Sequence, residues 1–172
     1  GPVFMTNTTA VGTFVCNDFY FHNSGDFRFY GPVKFNSMYT YGASIEEPIS
    51  ITKYGDWICA YVIYFGQQAN TYTVFTNKSG NISYTNKYDW RLGNAAYTIN
   101  EMVIENGKVE VSGAANFIIG DHDQSTGTVH IANNSILRTL NTGKNMYVGN
   151  MGTKSHGELW VSDNAQVSSA QH

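Results

Sequence analysis

The 172-residue chain has 10 Lys and Arg against 13 Asp and Glu, a formal charge of −3, and only 13% charged residues. That balance offers no basic patch for nucleic acid or an anionic membrane. A hydrophobic content of 42% over this length suits one domain with its own core, and the abundance of Asn, Thr, Ser and Gly suits a secreted or surface β protein.

In chain order, Gly1-Pro2 looks like the scar of a cleaved purification tag, so residues 1–10 are read as scar and N-terminal extension. A phrase then recurs. A glycine after an apolar or aromatic residue is followed by a polar loop, an alternating strand and an Asn- or Asp-rich turn. The glycines are 12, 42, 66, 93, 120 and 149, spaced by 30, 24, 27, 27 and 29 residues. The strands that follow contain Phe19/Phe21, Ile49/Ile51, Thr73/Phe75, Met102/Ile104, Val129/Ile131 and Leu159/Val161 as inward pairs. Asn23, Lys53, Asn77, Asn106, Asn133 and Asp163 then form a turn column, in which Asn and Asp tolerate the left-handed backbone of a sharp corner.

Period-two alternation inside a repeat of this length predicts an all-β chain: a right-handed parallel β-helix of about six coils with a period of about 27 residues. Residues 92–172 hold the regular repeats. Residues 11–91 form an aromatic-rich first half, with 21 of the 25 Phe, Trp and Tyr residues lying before residue 91, and are read as divergent coils or a capping subdomain. Phe27-Arg28-Phe29-Tyr30 and Tyr61-Val62-Ile63-Tyr64-Phe65 are too dense in apolar residues to be one-faced strands. They are packed on both sides, or else Tyr20, Tyr30, Tyr54, Trp57 and Tyr72 form an outward surface for stacking sugar rings.

Cys16 and Cys59 occupy non-equivalent places and read as isolated thiols. Asp121-His122-Asp123 lacks the spacing of a calcium loop and reads as a solvated turn. Asp18, Glu101 and Glu158 share a column on distant rungs, a poor arrangement for acid–base work on a glycoside. Asn7, Asn77, Asn81 and Asn133 stand in glycosylation sequons. No metal or other cofactor is expected.

Tyr147-Val148-Gly149-Asn150-Met151-Gly152, followed by Gly157-Glu158-Leu159-Trp160-Val161-Ser162-Asp163-Asn164-Ala165-Gln166-Val167, resembles the repeat of bacterial autotransporter passengers and related outer-surface β-helix proteins. Gly127 to Leu137 and Val109 to Ala115 echo it more weakly. The resemblance implies a β-helix and an extracellular or cell-surface location, and its motif carries no catalytic residue.

The resulting expectation is a non-catalytic adhesin or stalk segment of a longer chain, bound to a glycan or a host or cell-surface protein. Tyr20, Trp57, Tyr72 and Trp160 are its candidate stacking platforms. Two alternatives stand beside it: a carbohydrate-active β-helix of the pectate-lyase or tailspike kind, and a self-assembling structural protein joined end to end.

Overall fold

The computed structural model describes the backbone of residues 3–5 and residues 9–42, 44–85, 88–141, 143–149 and 152–170 in full. Gly1-Pro2, the Asn7 sequon, Asn150 and Met151 lie outside the described residues.

The first strands are β1 (Val3–Met5), β2 (Thr9–Ala10), β3 (Phe14–Val15), β4 (Asp18–Phe21) and β5 (Gly25–Phe29). Next come β6 (Val33–Thr40), β7 (Ile49–Lys53), β8 (Trp57–Phe65) and β9 (Tyr72–Asn77). Then follow β10 (Ile82–Thr85), β11 (Trp90–Leu92), β12 (Ile99–Ile104), β13 (Lys108–Ser112) and β14 (Phe117–Ile119). The last are β15 (Thr126–Ile131), β16 (Ile136–Thr139), β17 (Met146–Val148), β18 (His156–Val161) and β19 (Gln166–Ser169).

Every pairing between these strands is parallel. A seven-stranded sheet, β2-β5-β7-β9-β12-β15-β18, makes one face of a β-solenoid. A twelve-stranded sheet makes the other two, because β6 and β8 are long enough to run across both. The second face comprises β3, the first half of β6, the first half of β8, β10, β13, β16 and β19. The third comprises β1, β4, the second halves of β6 and β8, β11, β14 and β17. Both sheets run unbroken from the aromatic first half into the regular repeats.

Turn length follows from the register. On the seven-stranded face Thr9, Arg28, Thr52, Thr76, Val103, His130 and Trp160 stack in one column. Successive residue numbers differ by 19, 24, 24, 27, 27 and 30, so the solenoid widens toward its C-terminal end and five turns follow a short first one.

The anchor glycines all adopt left-handed backbone, with φ between +58° and +99°. At Gly120 a side chain is also barred by space, since a Cβ there would stand 2.2 Å from the His156 carbonyl oxygen. A second corner, after the seven-stranded face, has its own glycine stack. A Cβ on Gly31, Gly55, Gly80 or Gly107 would strike, respectively, the backbone of Gly12, Gly31, Gly55 or Gly80. Gly12 therefore belongs to this second corner and not to the column of the other anchors.

The inward columns correct the expected register. On the seven-stranded face one column is Phe27, Ile51, Phe75, Met102, Val129 and Leu159; its neighbour is Phe29, Lys53, Asn77, Ile104, Ile131 and Val161. Thr73 therefore stacks on Asn100, two residues before the expected Met102. Phe19 and Phe21 point into the core from the third face, paired with Met38 and Thr40. Lys53 and Asn77 are buried strand residues and not turn residues. A slip of two residues preserves which side each side chain faces, so alternation alone does not detect it. Asn133 and Asp163 do take left-handed turn conformations, with φ of 54° and 51°.

The core is aromatic in its first half, where Phe19, Phe21, Phe27, Phe29, Phe35, Trp57 and Phe75 are all buried. It turns aliphatic where the coils widen, at Met102, Ile104, Val109, Val129, Ile131 and Leu137.

Candidate functional site

The third face carries a ladder of outward tyrosines over its first half. Tyr20 pairs with Tyr39, Tyr39 with Tyr64, and Tyr64 with Arg91 on successive rungs. Parallel strands in register hold identical positions about 4.8 Å apart, so aromatic residues repeated at one position must meet. The Tyr20 and Tyr39 rings stack with centroids 5.3 Å apart and planes 17° apart, and Tyr64 meets Tyr39 edge-on at 6.0 Å. Arg91 closes the ladder with its guanidinium carbon 5.6 Å from the Tyr64 ring centroid, and is itself held by Asp121 at 3.1 Å and Asp89 at 3.3 Å. Tyr41 flanks the ladder and stacks on His22 at 4.6 Å.

A β-bulge beside this ladder opens a depression. Phe35 pairs with Cys59 but Ser37 with Val62, so Asn36 on β6 faces both Ala60 and Tyr61 on β8. Bulges re-aim side chains, and here Ala60 and Tyr61 turn outward together. They line a hollow of about 400 Å³ with Asp18, Asn36, Ser37 and Tyr39. The bulge is braced from inside: the buried Tyr84 hydroxyl sits between the Tyr88 carbonyl at 2.5 Å and the Tyr61 carbonyl at 3.0 Å, and the Cys59 thiol donates to the Asn36 carbonyl at 3.0 Å. Burial pushes the Cys59 thiol up to about 12, which keeps it an inert packing group.

The tyrosines of this face hold their protons. Burial raises Tyr39 and Tyr64, and burial followed by the Asp18 charge raises Tyr20. The Tyr61 hydroxyl is raised first by its hydrogen bond with Tyr88, whose ring lies 4.6 Å away. The site therefore offers neutral hydroxyls, an amide, a serine and the Asp18 carboxylate around flat aromatic surfaces. That chemistry suits a neutral polyol better than a charged ligand. Among the described residues no group of His, Cys, Asp and Glu is placed to hold a metal ion.

The four expected platforms do not come together. Tyr20 stands in the ladder. Trp57 is 1% exposed in the core, ringed by Phe19, Phe29, Phe35 and Phe75, because its place in β8 aligns with Val33 and Ile82 on the inward side. It cannot serve as a surface. Tyr72 lies half-buried on the seven-stranded face, where its hydroxyl donates to Glu101 at 2.6 Å. Trp160 is 58% exposed on the last rung of that face, stacked on His130 at 6.3 Å, with its indole N–H donating to Glu158 at 2.9 Å.

Two further expectations change. Asp18 lies on the third face, away from the column shared by Glu101 and Glu158. Asp121 is no solvated turn residue: it is buried against Arg91 while His122 and Asp123 stay exposed. Tyr39, Tyr61, Asn36 and Ser37 were not singled out from the sequence as site residues. The dense run Tyr61 to Phe65 was the available signal, because a bulge interrupts its alternation.

No protein-family model matches the chain, and neither the curated proteins nor the solved structures give a match.

Proposed function

We propose that this chain is a non-catalytic β-solenoid segment of a bacterial surface or secreted protein, an adhesin or stalk that binds neutral glycan on its third face. The observation that carries the reading is the hollow lined by Tyr39 and Tyr61 together with Asp18, Asn36 and Ser37. Sugar rings would lie on Tyr39 and Tyr61 through their C–H faces, with hydroxyls reaching the amide, serine and carboxylate. Among the described residues lining the hollow, Asp18 is the one carboxylate. Glycoside hydrolysis ordinarily requires two, which favours binding over cleavage. The likeness of residues 147–167 to passenger repeats supports the exported location.

The test is a glycan array probed with the 172-residue chain, with reducing-end release assayed on every hit. Binding without release is the expected result. Release of reducing ends would move the protein to the carbohydrate-active class, and silence across neutral glycans would reject the binding reading.

A further inference from the structure

Lys53 and Asn77 are neighbours in an inward column of the seven-stranded face, between the apolar Phe29 and Ile104. All four are buried. The fold does not need a lysine there, since an apolar pair would fill the same two rungs without desolvating an ammonium. Packing alone leaves this pair unexplained. The register sets the two residues directly opposite each other on β7 and β9, and Lys53 Nζ lies 2.7 Å from Asn77 Oδ1.

The contacts around Nζ are of two kinds. The Ser79 and Gly80 carbonyls accept from it at 2.9 and 3.3 Å, and Asn77 takes the third direction. A neutral amine has two N–H groups and one lone pair. The two carbonyls hold the N–H groups, which leaves the lone pair facing the Asn77 amide. Burial lowers Lys53 to about 7, with the Asp56 charge opposing it, so the nucleophilic neutral amine is well populated near neutral pH. The Gly80 carbonyl also accepts from Asn77 Nδ2 at 3.1 Å, so one oxygen touches both nitrogens.

We propose that Lys53 and Asn77 join in an intramolecular isopeptide bond, a covalent tie between adjacent rungs. Lys53 Nζ attacks Asn77 Cγ, and one Nζ proton passes to Nδ2, both nitrogens being held on the Gly80 carbonyl. The Cγ–Nδ2 bond then breaks and Nδ2 leaves as ammonia with that proton. Nζ keeps its other hydrogen as the N–H of the new amide. No electrons are exchanged, so the step calls for no oxidant. An amide is a poor acyl donor, and position compensates: well-oriented intramolecular reactions reach effective molarities on the order of 10⁵–10⁸ M. The closed interior also keeps water from competing for the carbonyl carbon. The hydrogen-bonded pair is the reactant, so freshly folded protein carries a titrating lysine and aged protein a neutral amide. The tie closes β7, β8 and β9 into a ring whose ends lie 24 residues apart. It restricts the unfolded chain as a disulfide does but resists reduction, in a chain whose Cys16 and Cys59 are both free thiols.

The experiment is intact-mass spectrometry of wild type, Lys53→Met and Asn77→Ala, freshly purified and after a week at pH 8, followed by tryptic mapping. The aged wild type is expected to lose the mass of one ammonia. Its digest should contain a branched peptide joining β7 to β9, uncut after Lys53, which neither variant can form. A wild type that keeps its full mass throughout would overturn the proposal. So would an ammonia loss that maps elsewhere, such as a succinimide at Asn106-Gly107. The wild-type mass and digest decide the matter even where a variant fails to fold.

Discussion

Lys53 Nζ donates to Asn77 Oδ1 at 2.7 Å across adjacent rungs, with both residues fully buried in the solenoid interior. The Ser79 and Gly80 carbonyls accept from the same ammonium at 2.9 and 3.3 Å, so one lysine ties two rungs to the second glycine corner. Desolvation nevertheless brings Lys53 down to about 7 from 10.5, the nearby Asp56 charge offsetting it only in part.

A lysine lowered in the folded state is protonated more readily when unfolded. Its contribution to stability is most favourable above pH 10.5, declines as pH falls toward 7, and is level below that. The full span is about 5 kcal/mol. In urea unfolding of wild type and Lys53→Met from pH 7 to 10, the stability of wild type relative to the variant should rise with pH. Other titrating groups cancel in that difference, and parallel curves would contradict the assignment.

Trp57→Ala removes an indole enclosed by four phenylalanines and should cost about 3–5 kcal/mol in urea unfolding. An unchanged midpoint would mean that Trp57 does not pack the core.

Ile131 and Val161 share an inward column, one sealed by the next rung and the other on the last rung. Ile131→Asp strands a charge in the core and should abolish the cooperative thermal melt, whereas Val161→Asp should keep it. Equal tolerance of both would show that the rung order is wrong.

Gly120→Ala meets both a left-handed φ of +73° and the His156 carbonyl, so its cost should exceed about 2 kcal/mol. Gly143, at φ +81° with open space around its missing Cβ, should lose only about 1 kcal/mol on the same change. Calorimetric melts of the two variants measure the difference.

The solenoid was legible because its corners repeat: a glycine in left-handed backbone recurs every 24 to 29 residues from Gly42 onward. What alternation could not supply was register, since Thr73 on Asn100 and Thr73 on Met102 obey the same in–out rule. The candidate site was half legible. Tyr20 lies between the inward Phe19 and Phe21, whereas Trp57 falls in none of the alternating pairs, so nothing in the repeat marks it as the inward neighbour of Val33 and Ile82. Tyr39 and Tyr61 line one hollow only because a bulge shifts β8 against β6. A bulge has no fixed sequence mark beyond an interrupted alternation.

The proposed binding of glycan in the tyrosine-walled hollow can be tested on the hollow itself. The direct measurement is titration of the best array ligand into wild type, Tyr39→Ala, Tyr61→Ala and Trp160→Ala, each first checked for a wild-type melt. The first two variants should lose at least about tenfold in affinity, in line with the value of an aromatic anchor, while Trp160→Ala should bind as wild type does. Undiminished binding by both tyrosine variants would contradict it.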